Sequence, residues 1–243
     1  MDTPGFYRRS HGFVADKPIY PRFRFQTTVN TLVYCSDTSP LDDPTAYREA
    51  YARMPAYRLA KIDSLASPED RKRSMGAELL LRRALSDIGI KEYDVEYGEN
   101  GKPFLADSEI YFNLSHSGTK VLCCLSDVDV GCDVERIRSI NLAMARKHFH
   151  PSEYRVIESL EGDDRYDMFF RLWTLKESFM KATGLGLGLP LDSFRIVLDD
   201  GISVVQRVDD REYRFREFRL EDGYRCACCS LNYIENMKTV DLI

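Results

Sequence analysis

Two short acidic segments, about forty residues apart, hold the side chains of this chain best suited to chemistry. Val130-Gly131-Cys132-Asp133-Val134-Glu135 reads as an apolar strand ending in Asp-x-Glu. Side chains two apart on a strand share a face, roughly 6.6 Å apart along the chain, so Asp133 and Glu135 can reach one cation. Trp173-Thr174-Leu175-Lys176-Glu177-Ser178-Phe179-Met180-Lys181 reads as a helix. Trp173, Glu177 and Lys181 fall at i, i+4 and i+8 and form one stripe. Three carboxylates with lysines beside them suit Mg²⁺ holding a phosphate ester, because that ion is hard, prefers oxygen and shares its shell with substrate phosphates. Alone, Glu177 and Lys181 would read as a surface ion pair, and Asp-x-Glu as an exposed strand end. The apolar run before Asp133 and the amphipathic helix around Glu177 favour a site, since a carboxylate near a core face needs a partner or a metal.

The elements that must position these groups are legible. Ser67-Pro68-Glu69-Asp70 starts a helix: Ser67 caps, Pro68 suits the first turn, and the acids favour the positive end of the dipole. That helix runs to Ile88 and stops at Gly89. Strands are expected at Thr28–Cys35, Tyr93–Glu96, Ile110–Asn113 and Lys120–Leu125, with a loop over Ser36–Pro44, a turn at 98–101 and a polar loop at Ser115-His116-Ser117-Gly118. The second half repeats this order: a helix over Arg165–Thr183, then strands at Phe194–Leu198, Ser203–Val205, Tyr213–Leu220 and Tyr224–Leu231. Shorter helices are expected over Ala143–His148 and Pro151–Leu160. A helix plus an antiparallel meander, occurring twice, predicts an α+β fold: a pseudo-twofold pair of halves, each a long helix packed on an antiparallel sheet, with ligand in the groove between them. The divisions are an arm over 1–26, a first half over 27–128 and a second over 129–243. Gly184-Leu185-Gly186-Leu187-Gly188 is not a phosphate loop, because it follows a helix C-terminus whose carbonyls repel anions.

Composition narrows the class. With 243 residues, 44% hydrophobic and 30% charged, the chain can bury a core as one large domain or two modest halves. A net charge of −5 gives no broad attraction to nucleic acid or anionic membrane. Seven cysteines, an odd number, fall mostly in strand-like runs, and no apolar run is long enough to span a bilayer. The expectation is a reduced, cytoplasmic protein whose Cys226-Ala227-Cys228-Cys229 is packing rather than a zinc site. The first 26 residues carry Arg8, Arg9, Lys17, Arg22 and Arg24 without a clear period and read as a terminal arm.

Four blocks in order carry a resemblance: Gly101-Lys102-Pro103, Phe112-Asn113-Leu114-Ser115-His116-Ser117, Gly131-Cys132-Asp133-Val134-Glu135, and Trp173-x-x-Lys176-Glu177-Ser178-x-x-Lys181. Over roughly residues 28 to 235 the chain resembles the 4′-phosphopantetheinyl transferases, above all the longer, surfactin-synthetase type with two similar halves. The resemblance implies an enzyme that moves the 4′-phosphopantetheine arm of coenzyme A to a serine of a carrier protein and releases adenosine 3′,5′-bisphosphate. It implies Asp133, Glu135 and Glu177 as ligands of Mg²⁺, with Mn²⁺ possible, and Glu177 as base for the carrier serine, directly or through water. Lys181 then contacts the pyrophosphate, His116 a phosphate with Ser115 beside it, and Ser115 and the further lysine Lys176 count among the coenzyme A-binding residues. Arg58, Lys61 and Arg73 correspond to the cations on the 3′-phosphate, and Lys102 with Pro103 to the adenine side. Departures from the family are Cys132 in place of an aliphatic residue and Arg58 where lysine is frequent. The partner is an acyl, peptidyl or aryl carrier protein, received on residues 143 to 160 with Arg146, Lys147 and Phe149, and the enzyme is expected to be monomeric. Two other readings are a non-catalytic protein that binds coenzyme A or a carrier, and a Mg²⁺-dependent nucleotide phosphohydrolase. Neither explains all four blocks in order with every ligand retained.

Overall fold

The computed structural model describes residues 30–98, 100–220 and 223–243; the expected arm over 1–26 and the start of the expected first strand lie outside them. The first half runs β1 (Leu32–Asp37), α1 (Pro44–Ala52), α2 (Ala56–Ser64), α3 (Pro68–Asp87), β2 (Val95–Tyr97), β3 (Pro103–Leu105), β4 (Tyr111–Ser117) and β5 (Lys120–Ser126). The second runs β6 (Val130–Arg136), α4 (Ala143–His148), α5 (Pro151–Glu158), α6 (Gly162–Thr183), β7 (Arg195–Val197), β8 (Ser203–Val205), β9 (Arg214–Leu220) and β10 (Tyr224–Ser230), with a short β11 (Lys238–Thr239) after it. The fold is mixed α+β.

Local chemistry explains the long helices. Ser67 Oγ accepts from Asp70 N at 3.3 Å, Pro68 opens α3, and Glu69 and Asp70 lie in its first turn. α6 ends at Gly184, whose φ of 73° places it in the left-handed region that lacks a steric cost only for glycine.

The main sheets have the orders β11-β1-β5-β4 and β6-β10-β9. In each, the first strand of its half is hydrogen-bonded antiparallel to the last, and the last to the one before it. Alternation along the strands then makes three core layers. Tyr34, Val121, Cys123 and Leu125 face Leu80, Leu81 and Leu85 of α3. Val33, Cys35, Leu122 and Cys124 face Val130, Cys132, Val134, Cys226 and Cys228 of the other sheet. Ala227 and Cys229 turn the other way, toward Phe169, Leu175 and Phe179 of α6. Fully burying side chains of this kind stabilises by about 2 kcal/mol each. All seven cysteines are buried free thiols that pack as small hydrophobes.

Three features differ from the sequence reading. Residues 44–64 hold two helices, α1 and α2, where none was expected. Ser115, His116 and Ser117 are not a loop: β4 runs through them to Ser117. Their polar types resemble loop composition, but they alternate as a strand must. Finally, the first sheet is not purely antiparallel. β11 returns from the far end of the chain and pairs parallel to β1, with Val240 N bonded to Cys35 O at 3.0 Å.

Candidate active site

β4 and β6 belong to different sheets, yet they lie side by side and their side chains join them. Asn113 Oδ1 accepts from Cys132 N at 2.9 Å, Ser115 Oγ from Val134 N at 3.3 Å, and Ser117 Oγ from Arg136 N at 3.1 Å. Each partner is 19 positions on, so the strands run parallel, and side-chain oxygens take the N–H groups that a neighbouring strand's carbonyls would otherwise take. Ser115 Oγ in turn donates to Asp133 Oδ1 at 2.8 Å, and Ser117 Oγ to Glu135 Oε2 at 2.8 Å. The Asp-x-Glu pair is therefore held from β4.

α6 supplies the other acidic wall. A Cβ on Gly131 would stand 2.1 Å from Ser178 O and 2.4 Å from Ala182 N, so glycine is what lets the helix backbone lie directly on β6. That close approach brings Lys181 Nζ to 2.6 Å from Asp133 Oδ1, with Cys132 O at 3.2 Å and Ser115 Oγ at 3.3 Å. Trp173, Glu177 and Lys181, the stripe read from the sequence, line one cleft with Asp133 and Glu135. Cys132 faces the inter-sheet core instead, as strand alternation requires.

The cleft also carries basic side chains. Arg58, Lys61 and His116 line the same cleft, of about 430 Å³, and so do Ser115 and Pro103. Arg58 Nε is bonded to Glu78 Oε2 at 3.1 Å, an ion pair almost closed to water, while Tyr57 Oη and Tyr93 Oη donate to the same carboxylate at 2.5 and 2.8 Å. The arginine in place of lysine thus uses Nε as an anchor on Glu78 and stacks its guanidinium over the Tyr57 ring. Burial lowers Lys61, and the charge of Arg58 adds to this. His116 is lowered by loss of solvent and then by Arg73, Lys61 and Lys181.

Not every expected residue reaches the cleft. Arg73 sits behind His116, with Nη1 on Gly118 O at 3.1 Å and Nη2 on Asp70, and acts there through its charge. Lys102 Nζ turns to the end of α6, bonding Lys181 O at 2.7 Å and Val130 O at 3.1 Å. Lys181 O is one of the helix-end carbonyls that made the glycine run unfit for phosphate, and it takes a cation for the same reason. Lys176 is fully buried, with Nζ on Glu153 Oε1 and Oε2 at 2.9 and 2.7 Å and on Phe194 O at 2.9 Å. It pins α6 to α5 and the strand region after it, and offers nothing to a ligand. Phe149, proposed for carrier contact, is stacked in the core on Phe169 and Trp173. Sequence reasoning missed Glu78 and Glu153. The signals were a lone acid inside Ala77-Glu78-Leu79-Leu80-Leu81 and the capping pattern His150-Pro151-Ser152-Glu153.

The acidic wall suits a hard cation. Its donors are all oxygens, and Asp133 Oδ2 is buried with no partner. Burial raises Glu135 and Glu177, and the neighbouring carboxylates add to it, although Ser117 relieves Glu135 and Lys181 relieves Glu177. Burial alone would lower Lys181, but Asp133 and its other neighbours more than reverse this and shift it upward. Among the described residues no three such side chains are already gathered closely enough to form a cage.

Comparison with known proteins agrees with this layout. The family model described as the 4′-phosphopantetheinyl transferase superfamily matches residues 129–229, the half that holds the acidic wall. The chain is 38% identical over 167 residues to the 4′-phosphopantetheinyl transferase gsp of Aneurinibacillus migulanus, covering 67% of this chain and 70% of the relative. It is 33% identical over 168 residues to the 4′-phosphopantetheinyl transferase Sfp of Bacillus subtilis strain 168, covering 67% and 75%. With psf-1 of Bacillus pumilus, another 4′-phosphopantetheinyl transferase, the identity is 30% over 210 residues, covering 82% and 89%. The chain belongs to the 4′-phosphopantetheinyl transferase superfamily, and within it to the Sfp type.

Proposed function

We propose that this protein transfers the 4′-phosphopantetheine arm of coenzyme A to a serine hydroxyl of an apo carrier protein, releasing adenosine 3′,5′-bisphosphate. The observation that carries the reading is one cleft lined by the basic residues Arg58, Lys61 and His116 together with the carboxylates Asp133, Glu135 and Glu177. Arg58 and Lys61 hold the 3′-phosphate, which distinguishes coenzyme A from its dephospho form. His116 contacts a phosphate, and Lys181 the pyrophosphate. Asp133, Glu135 and Glu177 hold Mg²⁺, or Mn²⁺ in its place, and the ion when bound neutralises pyrophosphate charge. In the transfer, the carrier serine oxygen bonds the phosphorus that bears the pantetheine arm. The bond from that phosphorus to the bridging oxygen breaks, the nucleotide leaves with the electron pair, and the serine proton passes to Glu177, directly or through water.

Several finer points belong to the same reading. The strand–helix–hairpin order shared by the halves supports a pseudo-twofold relation, with the division near residue 128. Both walls of the cleft come from one chain, which supports a monomer. The exposed Arg146, Lys147 and Met144 of α4 and Val156 of α5 form the surface for an acidic acyl, peptidyl or aryl carrier, with Phe149 now excluded. A cytoplasmic location is supported by the free thiols. Among the described residues no helix is long and apolar enough to cross a membrane.

The test is mass spectrometry of acyl, peptidyl and aryl apo carriers incubated with the protein, coenzyme A and Mg²⁺. A gain of one phosphopantetheine on a serine is expected, and no gain on any carrier would sink the proposal. Glu177→Gln should abolish transfer and leave coenzyme A binding measurable.

A further inference from the structure

The serines of β4 have no proton left for a phosphate. A hydroxyl has one donor and two acceptor lone pairs. Ser115 commits its proton to Asp133 Oδ1 and fills both acceptor positions, from Val134 N and Lys181 Nζ. Ser117 commits its proton to Glu135 Oε2 and accepts from Arg136 N. A phosphate oxygen accepts hydrogen bonds, so either serine could serve one only by releasing its carboxylate.

The bonds also leave a pattern on the acids. Asp133 Oδ1 is used by Ser115 and Lys181, while Oδ2 is buried and unpartnered. Glu135 Oε2 is used by Ser117 and Arg138, while Oε1 has no partner among the described residues. Each serine thus occupies one oxygen of its carboxylate and leaves the other free. The two serines are two residues apart on β4, and the two acids two apart on β6, so the free oxygens repeat at the strand period. The backbone contacts at constant offset fix the register of the strands, so the carboxylates inherit their spacing from it.

We infer that Ser115 and Ser117 are positioning residues: each locks one acid of the Asp133/Glu135 pair in the orientation that offers a divalent cation one oxygen, and neither touches the nucleotide phosphates. This rests on the reading that these acids hold the ion. It reassigns Ser115, which family resemblance places among the coenzyme A contacts. Groups that orient metal ligands in this way typically contribute about 10- to 100-fold in metal affinity.

The test uses Mn²⁺ as probe, with free ion followed by electron paramagnetic resonance, and adenosine 3′,5′-bisphosphate titrated calorimetrically without metal. Wild type is compared with Ser115→Ala, Ser117→Ala and Ser117→Thr. Each alanine should weaken Mn²⁺ about tenfold or more. Threonine keeps the hydroxyl and should stay within about threefold, and bisphosphate affinity without metal should stay within about twofold throughout. If Ser115→Ala unfolds, the Ser117 pair, nearer the strand end, carries the test. Unchanged Mn²⁺ affinity in the alanine variants overturns the inference, and loss of bisphosphate affinity instead makes the serines phosphate donors. A wild-type protein that binds no Mn²⁺ overturns the metal reading and this inference with it.

Discussion

Gly131→Ala tests the packing that assembles the acidic wall. The added Cβ would lie 2.1 Å from Ser178 O, 2.4 Å from Ala182 N and 2.9 Å from Lys181 C. Carbon–oxygen contacts settle near 3.3 Å, so α6 must retreat by roughly 1.2 Å. The struck atoms are helix backbone and cannot rotate aside as a side chain would. Overpacking of this kind costs about 1–3 kcal/mol, and rigid neighbours place this case near the upper end, about 3 kcal/mol. The retreat carries Glu177 and Lys181 away from Asp133, and a displacement of about 1 Å at reacting groups costs about 100-fold in rate. Arg58, Lys61 and His116 sit on the first half and stay in place. The expected result is a kcat for carrier modification about 100-fold lower, a KM for coenzyme A changed less than about threefold, and urea denaturation showing the stability loss. A variant with kcat within about threefold and stability within about 0.5 kcal/mol of wild type would refute the argument that helix approach sets the site.

Two further outcomes follow from charges away from the cleft. Lys176→Met leaves the buried Glu153 carboxylate uncompensated and should lower stability by roughly 3–5 kcal/mol, with bisphosphate affinity unchanged. Lost affinity with stability intact would return Lys176 to the ligand site. Partial burial pushes Asp37 up, but bonds from Ser39, Thr119 and Lys120 outweigh it and hold its carboxyl at about 2, against an ordinary 3.8. That difference corresponds to about 2 kcal/mol, discounted to about 1 kcal/mol for a side chain 34% exposed. Because the folded value is depressed, the stabilisation is full above pH 3.8 and vanishes as pH falls through about 2. Asp37→Asn should therefore lose about 1 kcal/mol in melts at neutral pH and nothing near pH 2, and an equal loss at both would exclude an ionic origin.

Much of the site was readable because its signals are periodic. The stripe of Trp173, Glu177 and Lys181 and the pair Asp133 and Glu135 follow from helix and strand repeats, which tertiary packing preserved. The cap at Ser67 and the stop at Gly184 are local chemistry and were equally plain. What was not readable depends on partners distant in sequence. Nothing in Gly-Lys-Pro says that Lys102 spends its ammonium on carbonyls at the end of α6, 79 positions away. Nothing beside Lys176 says that Glu153 waits in another helix. Ser115-His116-Ser117 has the composition of a loop and the alternation of a strand, and only the neighbouring β6 decides between them.

The return of β11 has a bearing on synthesis. β1 can pair with β5 as soon as the first half has been made, yet its other edge gains a partner only when Ile234 to Val240 exist. Val240 and Leu242 then close over the core beneath α3, with a Leu242 methyl 3.3 Å from where a Cβ on Gly76 would stand. The half translated first is therefore the one completed last. Until residues 234–240 have been made, the sheet of the first half carries an open edge, and their pairing is the event that seals it.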